Sequence, residues 1–254
     1  MGKIVVIANQ KGGVGKTTTA INLASSLAVM EKRILIVDID PQANASSGLG
    51  VDVAAIDTTI YDVLLEKVPY KKAIQKTFLE YLDILPANQN LVGAEIEMVN
   101  MISRETRLRK VLTPAKKEYD YIFIDCPPSL NLLTVNSFTA GDSVLIPIQC
   151  EYFALEGLTQ LLNTIRLIQK NLNPHLDLEG IILTMYDSRL NLSKMVAEEV
   201  RKYFGNKVYT TIISRNVRLG EAPSYGQPII SFDIHSSGAM NYMKLAEEFI
   251  NGKK

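Results

Sequence analysis

The stretch from Ile4 to Thr19 constrains this chain more than any other. An apolar, β-branched run, Ile4-Val5-Val6-Ile7-Ala8, passes directly into Asn9-Gln10-Lys11-Gly12-Gly13-Val14-Gly15-Lys16-Thr17-Thr18-Thr19. The tail Gly15-Lys16-Thr17 fits the end of the phosphate-binding pattern G-x-x-x-x-G-K-[ST]. The leading glycine of that pattern would fall at position 10, where Gln stands, and Gly12 and Gly13 compensate. Glycines let a backbone fold around phosphates with its N–H groups turned inward. The helix that follows then offers the same anion its positive end. In this reading Gly12, Gly13, Val14, Gly15, Lys16, Thr17 and Thr18 bind a nucleotide. Lys16 reaches the β- and γ-phosphates, and the Thr17 hydroxyl ligates Mg²⁺.

The rest of the chain repeats the strand–helix alternation. Short apolar runs lie at Arg33–Asp38, Leu82–Leu85, Tyr121–Asp125, Ser143–Ile148, Gly180–Met185 and Val208–Ile213. Helical patterns lie at Lys16–Val29, Arg104–Lys117, Leu155–Gln169, Leu192–Phe204 and Ala239–Ile250. Continuous apolar strands suit a parallel sheet covered on both faces. The alternation predicts an α/β fold, doubly wound and mostly parallel, with helices on both faces. No repeat or linker divides residues 1–254, so one P-loop domain is expected, with no separate DNA-reading domain ahead of it. Ligands of such sheets bind beyond the carboxyl ends of the strands.

Those strand ends carry acids. The second run closes Asp38-Ile39-Asp40-Pro41-Gln42, and alternation turns Asp38 and Asp40 to the same side. Phosphoryl transfer needs an oriented water more than a strong base, which suits Asp40, with Asp38 in the metal shell or a switch. The run Tyr121–Phe123–Asp125 ends Asp125-Cys126-Pro127-Pro128, a strand-end acid placed to hold Mg²⁺ directly or through water. Lys11 adds a second cation at the loop. It could serve the nucleotide of its own subunit or, in the manner of an arginine finger, that of a facing one.

Composition removes other classes. Lys plus Arg and Asp plus Glu each number 27, so bulk charge does not attract nucleic acid. Trp is absent and aromatics make up 7%, too few for a base-stacking platform. Two cysteines, Cys126 and Cys150, form no disulfide framework, and no apolar run reaches the length of a membrane span. A reducing cytoplasm fits.

Lys11-Gly12-Gly13-Val14-Gly15-Lys16-Thr17-Thr18, Asp38-Ile39-Asp40-Pro41-Gln42 and Asp125-Cys126-Pro127-Pro128-Ser129 together resemble the deviant Walker-A ATPases. Gln149–Gly157, Arg215-Asn216-Val217-Arg218-Leu219 and Glu221-Ala222-Pro223-Ser224 resemble the ParA/Soj chromosome-partitioning branch. The likeness runs from about residue 3 to about residue 250. It implies ATP and Mg²⁺ as cofactors and a homodimer closed face to face over ATP, with Lys11 crossing to the partner's nucleotide. Gly12 is then the position that stays small for close approach. Lys16 and Asp40 are catalytic, and Ser214 and Asn216 lie at the adenine, Ser214 standing where relatives commonly have Pro. The resemblance further implies double-stranded DNA bound without sequence preference, stimulation by a ParB-type protein, and a cytoplasmic, nucleoid-associated location.

The chain's own charges bear on DNA. Residues 189–218 hold seven Lys and Arg against Glu198 and Glu199, a local excess of five in a neutral protein. Arg189, Arg215 and Arg218 are the candidate contacts. A second cluster, Arg104, Arg107, Arg109, Lys110, Lys116 and Lys117, reads as an exposed helix face. The alternative is a MinD-like membrane-positioning ATPase. That would need a basic amphipathic segment, and the short, acid-bearing 245–254 end reads instead as a packed helix, so no stable membrane association is expected. An Fe–S carrier would need shared cluster cysteines, and Cys126 reads as a small buried residue.

Overall fold

The computed structural model describes residues 2–152 and 154–252; Met1, Phe153 of the 149–157 stretch, Lys253 and Lys254 lie outside the described residues. A seven-stranded sheet runs β1 (Lys3–Ile7), β2 (Ile34–Asp38), β3 (Gln75–Lys76), β4 (Leu82–Leu85), β5 (Tyr121–Asp125), β6 (Ser143–Gln149) and β7 (Asp177–Thr184) along the chain. In space the order is β3-β4-β2-β5-β1-β6-β7. Every pairing is parallel except that of β3, a two-residue edge strand antiparallel to β4.

The continuous apolar runs bury both faces at once. Along β1, Ile4 and Val6 enter the core on one side, and Val5 and Ile7 the core on the other. The first core takes the helices Arg107–Ala115, Leu132–Ala140, Ala154–Asn171 and Asn191–Phe204. The second takes the helices Lys16–Val29 and Ser237–Asn251, which pack against each other. Leu27, Ile36, Phe123 and Leu245 are fully buried there. Each such side chain contributes about 1.5–3 kcal/mol relative to its exposed state.

The sheet's register fixes the site. Ile7, the last residue of β1, pairs with Asp125, and Asp125 pairs with Asp38. Two carboxylates therefore stand on neighbouring strands, about 4.8 Å apart in backbone spacing, beside the strand that opens into the glycine loop. Pro147 sits within β6, where a missing N–H would normally break a ladder. Its carbonyl faces the side that β1 has already left, and the Asn9 Nδ2 donates to it at 2.8 Å.

Some sequence expectations need correction. Val208–Ile213 does not form a strand. It meets the edge of β7 at one isolated bridge, Val208 to Ile181, and through the Tyr209 and Ile213 amides, so the span from Tyr209 to Ile213 matches a β7 advance from Ile181 to Leu183 alone. The segment bows out because the Glu248 carboxylate accepts from the Thr210 and Thr211 amides that a ladder would need. The 104–117 helix is divided, with a 3₁₀ turn at Arg104–Thr106 before the helix Arg107–Ala115. Its basic cluster is not simply an exposed face. Arg107 donates to the Leu64 carbonyl, and Arg109 to the Thr139 and Leu172 carbonyls, so both tie helices together from within.

Candidate nucleotide site

The loop 9–15 is held from two strands. Asn9 anchors it to β6 through Pro147 and accepts from the Lys11 amide at 3.0 Å. Thr184, at the end of β7, donates its hydroxyl to the Val14 carbonyl at 2.8 Å. Gly13 and Gly15 adopt φ of 73° and 86°, a region that other residues enter only under strain. Gly15 precedes the helix Lys16–Val29, and no side chain caps that end. Its first amides, together with the helix dipole, face the space beyond the loop, as an anion site requires.

That space is a cleft of about 700 Å³. Gly12, Gly13, Gly15, Lys16, Thr17 and Thr18 line its floor, and Asp40 lines its wall. Ser214 and Asn216 line the opposite rim. Ser214 is fixed by its amide donating to Asn241 at 3.1 Å; Asn216 caps the next helix through Arg218 N and donates to Ser237. The site residues expected at 12, 13, 15–18, 40, 214 and 216 thus share one cleft. Val14 has a buried side chain and a carbonyl taken by Thr184. Lys11 does not line the cleft; its ammonium pairs with Glu151 at 2.7 Å.

Lys16 is 7% exposed, and its Nζ donates to the Lys11 carbonyl at 3.2 Å. Burial lowers its pKa, against the opposing pull of Asp125 and Asp40. Asp125 is fully buried, and neither of its oxygens has a hydrogen-bond partner of ordinary geometry. Burial, and then the Asp38 charge, raise its pKa well above the usual carboxylate range; the neighbouring Thr17 hydroxyl and the Lys16 charge offset them only in part. Two orphaned carboxylate oxygens beside a threonine hydroxyl fit a hard divalent cation. Among the described residues no group of three or more His, Cys, Asp or Glu could hold a metal ion. Such a cation would draw its other ligands from water and phosphate, as Mg²⁺ ordinarily does.

Both oxygens of Asp38 are engaged within the chain. One oxygen accepts from the Asp40 amide at 3.1 Å, and the other accepts from the Ser46 amide and hydroxyl at 2.9 and 2.7 Å. These bonds shape the turn that presents Asp40, whose own carboxylate accepts from Gln42 N at 2.9 Å. Burial nonetheless pushes the Asp38 pKa up to about 6. Cys126 is buried, with its thiol pushed up to about 12 by burial, and is inert at neutral pH.

The raised acids set a pH dependence. A carboxyl with a higher pKa folded than unfolded binds more protons folded, so stability falls as pH rises between the two values. For Asp38 that window is about 4 to 6, and Asp125 acts in the same direction. Asp125→Asn is expected to stabilise the nucleotide-free protein by about 1–3 kcal/mol at pH 8. The difference from the parent should shrink toward pH 5. Denaturant titrations at both pH values check this, and a variant no more stable than the parent at pH 8 contradicts it.

Thr184, Met185, Gln42, Asn44 and Tyr242 also line the cleft and were not picked out from sequence. Thr184 ends an apolar run, the signal used for the acids. Tyr242 arrives only because the last helix packs on the first, where its hydroxyl meets Thr19 Oγ1 at 3.1 Å.

A family model for an AAA domain matches residues 2–178. The sporulation initiation inhibitor protein Soj of Bacillus subtilis is 59% identical over 248 residues, covering 98% of each chain. The chromosome partitioning protein ParA of Myxococcus xanthus is 57% identical over 250 residues, 98% of this chain and 88% of that one. Among solved structures, a cobyrinic acid a,c-diamide synthase from Mycobacterium smegmatis with bound ATP analogue and magnesium superposes with a TM-score of 0.87. It is 35% identical, over 99% of this chain and 95% of that one.

Proposed function

This chain belongs to the Soj/ParA family of chromosome-partitioning proteins, and from that premise we propose that it is an ATPase switch whose ATP-bound dimer holds DNA without sequence preference. The loop amides and Lys16 bind the phosphates. Thr17 and Asp125 hold Mg²⁺, which when bound neutralises phosphate charge. Asp40 orients the attacking water at the cleft wall. Ser214 and Asn216 flank the base, and Asp38 keeps the Asp40 turn in shape. Hydrolysis is slow until a ParB-type DNA-binding protein stimulates it, and the protein resides on the nucleoid in the cytoplasm.

The observation that carries the dimer is the position of Lys11. Its ammonium lies outside the cleft of its own subunit, half exposed on the same face. Gly12 supports it, because a Cβ there would meet nothing within 4 Å in its own chain. A need for glycine at that position comes from what approaches from outside. Two subunits facing across these loops would also double the arginine patch, and linked contacts gain by effective concentration. That links ATP to DNA affinity.

A membrane-positioning role is less well supported. No described helix is long and apolar enough to cross a membrane. The helix Ser237–Asn251 buries Tyr242, Leu245, Ala246 and Phe249, so its apolar face is already occupied by the core.

The test is binding of a random-sequence duplex across a salt series with ATP, ADP or no nucleotide. Asp40→Ala is used to hold the ATP state. Salt-sensitive binding that requires ATP is expected. Arg218→Glu should weaken it by about 10-fold or more while leaving ATP-dependent dimerisation intact. Unchanged DNA affinity would move the surface elsewhere, and absence of binding at low salt in every state would remove DNA as the target.

A further inference from the structure

Two of the three arginines proposed for DNA, Arg189 and Arg218, are paired with carboxylates in this conformation. Asp187 lies three residues beyond β7, and its backbone is fixed through Tyr186, which exchanges hydrogen bonds with Ile213 and Arg215. The Asp187 carboxylate accepts from the Arg189 amide at 3.0 Å, from Nε at 2.9 Å and from Nη2 at 2.7 Å. This is the two-pronged geometry in which a guanidinium also grips a phosphate. The acid is mostly covered and the arginine is 85% exposed, so the fork stands out in solvent on an anchored carboxylate. Arg215 adds its field to the same acid, which is held at a pKa of about 2 by Arg189 first and Arg215 last. Arg218 is matched in the same way, by Glu221 at 2.9 Å and Asp233 at 3.5 Å. Asp187 and Glu221 fall just outside the 189–218 window, and a charge count over that window misses them.

We propose that Asp187 is a built-in substitute for a DNA phosphate, occupying the Arg189 fork and lowering DNA affinity until the dimer presents enough contacts to displace it. The proposal rests on the reading that this face meets DNA. An exposed ion pair is weak, so a phosphate can displace it. Its cost is then modest for each subunit and is paid twice in a dimer. A single subunit with one such fork closed binds poorly, whereas two subunits bind together. The internal acid thereby lowers the affinity of both states, and only the dimer holds enough contacts to stay bound.

The experiment measures affinity for a random-sequence duplex between about 50 and 200 mM salt, with ATP and with ADP. It compares Asp187→Asn with Glu198→Gln, which makes the same charge change at an exposed position of the following helix without freeing an arginine. Asp187→Asn should bind about 2- to 25-fold more tightly, the square of the factor for one exposed pair. The slope of log affinity against log salt should change little, because Arg189 meets the same phosphate once Asp187 is displaced. The gain should disappear in an Arg189→Ala background, while Glu198→Gln moves affinity and slope little. Asp187→Ser, which keeps an oxygen for the Arg189 amide, guards against a turn that fails to form, and ATP affinity reports folding. Equal behaviour of Asp187→Asn and Glu198→Gln, with the parent protein binding DNA, overturns the proposal. Failure of the parent to bind DNA in any state overturns the reading beneath it instead.

Discussion

Asp40→Ala is expected to lower ATP turnover by about 10²–10⁴-fold, both basal and partner-stimulated, while ATP binding and dimerisation survive. The size follows from geometry. Asp40 lines the cleft wall, 8% exposed, on a turn built by Asp38 and Ser46. Its removal deletes the carboxylate proposed to orient water without touching the phosphate cradle. Single-turnover kinetics and a separate ATP-binding titration check it. Unchanged turnover would take Asp40 out of the mechanism, and loss of ATP binding would give it a role in binding rather than in water orientation.

The second large effect is at Lys16. Lys16→Ala is expected to weaken ATP binding by about 100-fold or more, the loss of a charge-assisted bond to phosphate. Calorimetry with ATP reads this effect, and melts of the nucleotide-free variant check that it still folds. Retained affinity would contradict the phosphate role.

The parts of this site that were legible in sequence depend on local rules. A strand, a glycine loop and a helix dictate each other within the Ile4–Thr19 stretch, and acids at strand ends announce themselves because apolar runs rarely close on charge. What was not legible depends on pairing at a distance. Periodicity gives Val208–Ile213 a strand pattern, yet Glu248, far along the chain, takes its amides. That Asp38 shapes the Asp40 turn shows only once Ser46 is seen to use one of its oxygens and the Asp40 amide the other. Arg109 reads as solvated until the Thr139 and Leu172 carbonyls are brought to it. The DNA arginines show the same limit, since counting residues gives net charge but not which carboxylate each guanidinium faces.

The two ties on the glycine loop, Asn9 to β6 and Thr184 to β7, bear on timing. A loop clamped at both ends by the sheet has lost its conformational freedom during folding, so an arriving nucleotide does not have to order it again. Capture of ATP then proceeds without a slow rearrangement of the cradle. In the dimeric switch proposed above, the clock of the cycle would lie instead in the meeting and parting of two subunits, steps set by concentration and by the partner rather than by the loop.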